Sequence, residues 1–282
     1  MEIIIGKTAG FCFGVKNAID NVEKELEVNE EVYCLGELVH NTQITEELQQ
    51  KGTKFIDNIE DAKGKVVIRA HGVPKNTYRK AEKLKLEIKD LTCPKVLHIH
   101  NIAEEFSKKD YFIFLVGQRN HPETIGTISF CGEESIVIEE IKDVENALDE
   151  FNKSNKKNAL VIAQTTYSLE KFNKICEELK KNIPNIEIKN TICNATKMRQ
   201  EETKKISQEV ETMIIVGGKH SSNSNKLYEI AKKYCSNVFF VETKNELDIN
   251  AIKNKNKIGI MAGASTPAKS IQEIVDIMKE IC

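Results

Sequence analysis

Short apolar runs alternate with longer amphipathic stretches along the chain. Several of the runs end at a glycine, as in VYCLG, YFIFLVG and TMIIVG. Between the runs, apolar side chains recur at the spacing of one helix face, for example at Val96, Ile99, Ala103 and Phe106. Strands that alternate with helices in this way are typical of parallel α/β units. We therefore predict an α/β fold with small, mainly parallel sheets.

The pattern occurs three times, and each copy has a cysteine between a strand and a helix. The segments IIIGKTAGFC, LEIKDLTC and IEIKNTIC end at Cys12, Cys93 and Cys193. From each cysteine to the glycine that ends the next strand there are 24 residues. Such self-similarity indicates repeated structural units. We predict three pseudo-symmetric α/β domains, which span residues 1–93, 94–190 and 191–282.

The helix after each cysteine is predicted with different strength. Pro94, directly after Cys93, suits the first turn of a helix. Behind Cys193 the apolar spacing is weaker, and Met198, Ile206 and Val210 are the residues that would form the buried face.

Polar residues follow the strands at matching positions of the copies. Four residues beyond the strand-ending glycines lie His40, His121 and Ser221. The ends of a further strand, in VVIRAHG, ALVIAQTT and IGIMAGAST, place His71, Thr165 and Ser265. Both Cys93–Thr165 and Cys193–Ser265 are 72 residues apart, which predicts that Thr165 and Ser265 are equivalent. Ligands of parallel sheets bind outside the carboxyl ends of the strands, so we expect these side chains and the three cysteines to converge.

The remaining cysteines lack partners in the repeat. Free cysteines are usually small buried hydrophobic residues. We expect four of them to be buried in this way: Cys34, Cys131, Cys176 and Cys235. The terminal Cys282 indicates nothing. We likewise expect His98, His100 and His220 to be ordinary core or surface residues.

Three distant cysteines are typical of a metal centre enclosed between domains. Structural zinc sites usually draw ligands in close CxxC pairs, and this chain has none. Thiolates are the usual ligands of iron–sulfur clusters, and a 4Fe–4S cluster ordinarily takes four. With only Cys12, Cys93 and Cys193 as ligands, one iron would keep an open position, as catalytic metals do.

The polar loops favour a small diphosphate as ligand. Histidines, hydroxyl groups and helix N-termini all donate hydrogen bonds to phosphate oxygens. The chain has no GxxxxGK[ST] loop and no GxGxxG after a strand, which argues against an NTP, NAD or FAD. Glu123, in the HPE segment, is a carboxylate within these loops, two residues after His121. In a water-poor cavity its pKa would rise and it could deliver protons, with Thr165 in position to orient or relay them.

The composition argues against some classes of function but does not indicate a reaction. The 282 residues are 40% hydrophobic and 30% charged, with a formal net charge of −2. Lysines are scattered, so charge gives no support to nucleic-acid or membrane binding. No apolar run approaches the roughly 20 residues that span a bilayer, and the N-terminus lacks the features of a signal peptide. We expect a soluble, cytoplasmic protein.

Nine motifs occur in order along essentially the whole chain: GFCFGV, GELVHN, RAHGV, TCP, NHPE, QTTYS, ICNAT, GGKHSSNSN and AGAST. Together they resemble the LytB/IspH family of 4-hydroxy-3-methylbut-2-enyl diphosphate reductases, which act last in the methylerythritol phosphate route to isoprenoids. The resemblance implies a monomer with a trefoil of three α/β domains around one central 4Fe–4S cluster. It also implies reductive dehydroxylation of the allylic diphosphate to isopentenyl and dimethylallyl diphosphate, with electrons from an external carrier such as ferredoxin or flavodoxin.

The resemblance further implies roles for single residues. The cluster ligands would be Cys12, Cys93 and Cys193. Glu123 would be the proton donor, and Thr165 would lie near the substrate hydroxyl, a role that Thr166 could share. The substrate's diphosphate would be bound by His40, His71, His121, Ser221, Ser222, Asn223 and Ser265.

Two other readings stay open at this stage. Quinolinate synthase also combines a three-cysteine cluster with a three-fold α/β repeat, but it handles small carboxylates, so it predicts no diphosphate binding. A redox sensor or cluster carrier without catalysis would give the histidine and SSN loops no purpose.

Overall fold

The computed structural model describes residues 1–29 and 31–280, so Cys282 lies outside the described residues. Within them the chain forms twelve strands: β1 Glu2–Ile5, β2 Val32–Leu35, β3 Thr53–Ile56, β4 Lys65–Ile68, β5 Glu87–Asp90, β6 Phe112–Val116, β7 Ser135–Ile138, β8 Ala159–Ala163, β9 Ile186–Ile188, β10 Thr212–Val216, β11 Asn237–Val241 and β12 Lys257–Ala262.

The same residues form eleven α-helices: α1 Phe13–Val28, α2 Thr42–Gln50, α3 Lys75–Lys83, α4 Pro94–Lys108, α5 Pro122–Ile128, α6 Val144–Lys153, α7 Leu169–Asn182, α8 Asn194–Ser207, α9 Ser222–Tyr234, α10 Ile249–Ile252 and α11 Ala268–Glu280. Short 3₁₀ helices occupy Ile59–Asp61, Ile141–Asp143 and Lys244–Glu246.

The strands form three four-stranded sheets, and all nine pairings among the described strands are parallel. The first sheet has the order β3-β2-β4-β5, the second β7-β6-β8-β9, and the third β11-β10-β12-β1. The predicted α/β class with small parallel sheets is confirmed. Its physical basis is that each strand is joined to the next by a helix or long connection, which parallel pairing requires.

The three sheets share one topology once β1 is counted with the third. In each sheet the chain forms an inner strand, then an edge strand beside it, then the second inner strand. The remaining edge strand is β5, β9 or β1. The strand β1 pairs with β12 through Glu2–Lys257 to Ile5–Ile260. The N-terminal strand thus completes the sheet formed by the last part of the chain. The domain boundaries 1–93, 94–190 and 191–282 stay a prediction.

Strand register corrects one predicted equivalence. Ile68 pairs with Leu35, Ala163 with Val116 and Ala262 with Val216, and each partner directly precedes a strand-ending glycine. Counting forward by three residues makes Thr166 the equivalent of Ser265 and of His71. The predicted match of Thr165 with Ser265 is therefore wrong by one residue, because the connection from β6 to β8 is one residue longer than that from β10 to β12.

Each sheet buries apolar side chains. The second sheet has a cluster on each face, with Phe114, Phe172 and Ile175 in one and Ile113, Leu115 and Ile99 in the other. The third sheet likewise has two clusters, and the first sheet packs around Val66 and Ile68. These side chains are almost fully removed from water, which is the main source of stability for such a fold.

By its contacts the chain divides into two compact bodies. The first body consists, as far as the chain is described, of Met1–Lys16, Val39–Glu46 and Asn194–Cys282, and it contains the third sheet. The second body consists of Asn17–Leu38 and Glu47–Cys193 and contains the first and second sheets.

The helix after Cys193 differs from its prediction. Helix α8 ends at Ser207, so Val210 lies beyond it, and Met198 is 55% exposed. The buried face of α8 is mostly polar and consists of Thr196, Arg199, Gln200, Thr203, Ile206 and Ser207. A polar buried face gives only a weak apolar periodicity, which explains the wrong prediction.

Candidate functional site

The three repeat-related cysteines occupy equivalent places. Each follows the last strand of its sheet and directly precedes a helix, respectively α1, α4 and α8. Their backbone N–H groups also bond in the same way, to the carbonyl oxygens of Ala264, Ala70 and Thr165 at 3.0 Å each. All three cysteines are half-buried: Cys12, Cys93 and Cys193.

The other described cysteines have a different environment. Cys34, Cys131, Cys176 and Cys235 are free but buried, as predicted. Burial raises the pKa of Cys34, Cys131 and Cys176 to about 12. The thiolate is the form that binds metals, so these three protonated thiols are poor ligands. The half-buried set at the starts of helices is the set whose chemistry fits an iron–sulfur cluster.

Helix α8 explains how the loop before Cys12 is held within the first body. Glu202 accepts hydrogen bonds from the backbone N–H groups of Lys7 and Thr8, both at 2.8 Å, and from the Thr8 hydroxyl at 2.6 Å. Arg199 donates to the Gly10 carbonyl at 2.6 Å. Gly10 has φ +95°, a conformation that favours glycine. The polar face of α8 therefore positions the segment that carries Cys12.

A buried carboxyl lies at the carboxyl end of the second sheet. Glu123, in the first turn of α5, is 2% exposed. One of its oxygens accepts from the Thr165 backbone N–H and the other contacts the Thr165 hydroxyl, both at 2.6 Å. Burial raises the pKa of Glu123 to about 7, and the two bonds from Thr165 oppose this rise. A carboxyl with such a pKa can hold a proton and release it near neutral pH.

A histidine caps the helix that carries this carboxyl, and a second histidine contacts the first. The Nδ1 atom of His121 accepts the backbone N–H of Glu123 at 3.1 Å and caps helix α5. An Nδ1 atom that accepts carries no proton, so neutral His121 has its proton on Nε2. The ring of His71 meets that of His121 edge-on, with centroids 5.5 Å apart. The structure thus brings His71, His121, Glu123 and Thr165 together.

The first body holds a second group of predicted residues. The Ser265 hydroxyl donates to the His40 carbonyl at 2.8 Å. His220, interpreted from sequence as a core or surface residue, is exposed, but its ring lies edge-on to that of His40 with centroids 5.5 Å apart. His220 is a contact that sequence reasoning missed, because it has no equivalent in the other copies.

The N-terminus of α9 is suited to an anion. Ser221 caps this 13-residue helix by accepting from the Ser224 backbone N–H at 3.4 Å, and Ser222 is buried. Asn223 is 3% exposed, and neither its amide nitrogen nor its oxygen bonds to another group in the described parts of the chain. Burying such an amide without partners costs about 1–3 kcal/mol. A helix N-terminus with an unbonded buried amide is a suitable site for a phosphate.

Near Glu123 lies a buried residue, Gln164, that was not among the predicted site residues. Gln164, 1% exposed, is the first residue after β8 and connects the loops on both sides of Glu123 and Thr165. Its position at the start of the QTT motif was visible in the sequence, but a lone glutamine there carries no distinctive chemistry.

Across residues 1–29 and 31–280, none of the helices is long and apolar enough to span a membrane.

Comparison with known proteins gives a consistent result. A family model described as LytB protein matches residues 3–279. A 4-hydroxy-3-methylbut-2-enyl diphosphate reductase from Clostridioides difficile (strain 630) is 41% identical over 284 residues, which cover 100% of both chains. The reductase of the same description from Aquifex aeolicus (strain VF5) is 38% identical and covers 100% of this chain and 97% of the relative.

Solved structures agree over the same length. The E-1-hydroxy-2-methyl-but-2-enyl-4-diphosphate reductase from Plasmodium falciparum matches with a TM-score of 0.92 at 31% identity, covering 98% of this chain and 87% of that chain. A structure of (E)-4-hydroxy-3-methyl-but-2-enyl diphosphate reductase, described as the terminal enzyme of the non-mevalonate pathway, matches with a TM-score of 0.72 at 37% identity and covers 99% and 100%.

Proposed function

The chain belongs to the LytB protein family, and on this premise we propose that it reduces (E)-4-hydroxy-3-methylbut-2-enyl diphosphate to isopentenyl and dimethylallyl diphosphate. The reaction takes up two electrons and two protons, and the substrate's hydroxyl group leaves as water. The observation that carries the proposal is the buried Glu123 carboxyl, paired with Thr165 and with a pKa near neutrality. Such a group suits the protonation of a leaving hydroxyl.

We propose that Cys12, Cys93 and Cys193 hold one 4Fe–4S cluster. Support comes from their chemistry, because these thiols are half-buried and occupy equivalent places while the other described thiols are buried. When bound, such a cluster would supply single electrons and, with three protein ligands, one iron with an open coordination position. The electrons would come from an external carrier such as ferredoxin or flavodoxin.

The substrate's diphosphate would be bound by the polar loops. The unbonded amide of Asn223, the start of α9 and the buried hydroxyls of Ser221 and Ser222 support an anion site. The other proposed contacts are made by His40, His71, His121 and Ser265. Binding at fixed donors would orient the allylic hydroxyl for reaction.

Glu123 and Thr165 would then handle the proton. The protonated carboxyl can donate to the Thr165 hydroxyl, whose own proton is then free to reach the substrate's oxygen. His121, with its Nε2–H, can donate to an anion on the same side of the sheet. Burial of the carboxyl excludes water that would otherwise compete for the proton. The protein would act as a monomer in the cytoplasm.

An anaerobic assay tests the proposed function. The protein is purified without oxygen, and the proposed cluster should make it brown. It is then mixed with the hydroxylated diphosphate and a strong one-electron reductant, and the products are separated by chromatography. We expect isopentenyl and dimethylallyl diphosphate in a ratio set by the protein. An intact brown protein that leaves the substrate unchanged would overturn the proposal.

A further inference from the structure

Gln164 forms a hydrogen-bonded clamp in the second body. Its Oε1 accepts the backbone N–H of Gln118 at 2.9 Å and contacts the Thr124 hydroxyl at 3.4 Å. Its Nε2 donates to the Thr166 hydroxyl at 2.8 Å. The backbone N–H of Gln164 also extends the pairing of β8 with β6, through the Val116 carbonyl at 2.8 Å. One amide therefore ties the β6–α5 loop and the start of α5 to the turn after β8.

The segments joined by this amide are the ones that carry Glu123 and Thr165. Glu123 directly precedes Thr124, and Thr165 lies between Gln164 and Thr166. The two segments are thus connected twice, once by the carboxyl and Thr165, and once by the Gln164 amide. The two connections differ in one respect: the carboxyl changes its protonation state near neutral pH, whereas an amide does not titrate.

The change of protonation alters the bonds of the carboxyl. An ionised Glu123 accepts from both the backbone N–H and the hydroxyl of Thr165. A protonated one has a hydrogen of its own and must donate it, so the Thr165 hydroxyl has to turn round and accept. Protonation also removes the charge that strengthens the bonds from Thr165, whereas the Gln164 amide keeps the same charge state.

Comparison of the three sheets shows that the fold itself does not need this amide. By strand register the positions equivalent to Gln164 are Arg69 and Gly263. A Cβ atom on Gly36 would collide with the Arg69 guanidinium, and one on Gly263 with the Ser224 hydroxyl, so other groups fill the same space in those sheets. In the second sheet a Cβ on Gly117 would lie 2.8 Å from the Thr124 hydroxyl and 3.0 Å from the Gln164 Cβ. The bonded glutamine occurs only in the sheet that carries Glu123.

We infer that Gln164 is a positioning residue that keeps Glu123 and Thr165 in contact while the carboxyl gains and loses its proton. The inference rests on the proposed role of Glu123 as proton donor. The titratable groups that adjoin Glu123 are His121, which accepts its backbone N–H, and His71 against His121. Neither bonds to Gln164 in the contacts that define the clamp.

Two substitutions at Gln164 separate the possible outcomes. Gln164→Met keeps the length of the side chain but removes every hydrogen bond of the side-chain amide. Loosened segments admit water to Glu123, so its pKa should fall from about 7 towards the ordinary 4.5, and turnover should drop about tenfold or more while KM changes little. Gln164→Glu keeps oxygens that accept from Gln118 and Thr124 but adds a nearby negative charge. It should retain more turnover than the methionine variant and shift the pKa of Glu123 upward.

If Gln164 only stabilised the fold, its substitution would leave the titration midpoint of Glu123 unchanged. This midpoint is therefore the quantity to measure. It is measured as the carboxylic-acid stretching band of the intact protein in infrared difference spectra across pH, and Glu123→Gln identifies the band. Arg69→Met, at the equivalent position of the first sheet, is the matched control and should leave the titration midpoint in place. Turnover is expressed per intact cluster, so loss of cluster is not read as loss of positioning.

A downward shift for Gln164→Met with an upward shift for Gln164→Glu supports the inference. An unchanged midpoint in both variants overturns it, even if their stability falls. If the methionine variant does not fold, Gln164→Glu alone is used. An upward shift of the Glu123 midpoint with turnover retained supports the inference, and an unchanged midpoint overturns it. Because the infrared titration needs no substrate, it stays informative if the wild-type protein proves to lack the proposed reductase activity.

Discussion

The carboxyl of Glu123 and the hydroxyl of Thr165 lie 2.6 Å apart in a nearly water-free part of the second body. The two residues are 42 positions apart in sequence, and they meet because both follow inner strands of the second sheet. Parallel pairing of β6 with β8 brings their following loops to the same edge. The contact gives a titratable group near neutral pH a fixed partner for its proton.

The hydroxyl of Thr165 should set how far the pKa of Glu123 rises. Its hydrogen bond opposes the effect of burial, so Thr165→Val should move the pKa above its present value of about 7. Thr165→Ser keeps the hydroxyl and should restore the midpoint. Infrared titration of the carboxyl band checks both variants. A midpoint that falls in the valine variant would show that the hydroxyl does not stabilise the ionised form.

The raised pKa of Glu123 also predicts a pH-dependent stability. The folded protein holds the proton up to about pH 7, whereas the unfolded chain loses it near the ordinary 4.5. Stability is therefore greatest below pH 4.5 as far as this group is concerned, and falls as pH rises towards 7, by about 3 kcal/mol in total.

Denaturant unfolding of the wild-type protein and Glu123→Gln at pH 5 and pH 8 measures this effect. The wild-type protein should lose stability relative to the variant between the two pH values. The variant is the control for the wild-type protein, because an amide at this position does not titrate. Parallel behaviour of the two proteins would mean that Glu123 titrates normally.

Asn223 should contribute to binding at a cost in stability. Its buried amide has no bonding partner in the described parts of the chain, so Asn223→Ala removes an unsatisfied group. We expect a melting temperature equal to or above that of the wild-type protein, and pyrophosphate binding weakened by about tenfold or more, as for the loss of a hydrogen bond to a charged group.

Isothermal titration with pyrophosphate and a thermal melt measure the two effects on the same sample. Thr53→Ala, which removes a buried hydroxyl in β3, is the control and should leave pyrophosphate binding unchanged. Unaltered pyrophosphate affinity in Asn223→Ala would remove this residue from the proposed anion site.

The two classes of cysteine should respond differently to substitution. Cys193→Ser should lose the brown colour and most of the bound iron, because a cluster with two thiolate ligands is poorly held. Cys176→Ala changes a buried thiol with a raised pKa and should keep both. Visible absorption and iron analysis of anaerobic protein compare the variants. Full iron content in Cys193→Ser would exclude Cys193 as a ligand.

Much of the fold and of the site could be predicted because the chain repeats itself. The constant separation of cysteine and glycine marked each strand and helix start, and the strand ends marked Glu123 and Thr165. The exact alignment of Thr165 and Ser265 failed, since connection lengths between strands are not fixed by the sheet. The hydrophobic pattern sets the register of the strands, and a one-residue difference in a connection leaves no mark in that pattern.

Other features depend on contacts between distant segments. The pairing of β1 with β12 joins the two ends of the chain, and nothing in either strand specifies the partner. The polar face of α8 is buried because Glu202 and Arg199 bind the loop before Cys12, which apolar periodicity does not predict. Gln164 was overlooked for the same reason, since an amide acquires its role only from the groups around it.

The central claim is that the protein reduces the allylic diphosphate with Glu123 as proton donor. It is tested most directly by anaerobic turnover of the wild-type protein and Glu123→Gln with the hydroxylated diphosphate and a one-electron reductant. The wild-type protein should form isopentenyl and dimethylallyl diphosphate. The variant should keep its cluster and bind the substrate, but turn over about 10²–10⁴ times more slowly. Wild-type rates in the variant, or no product from the wild-type protein, would contradict the account.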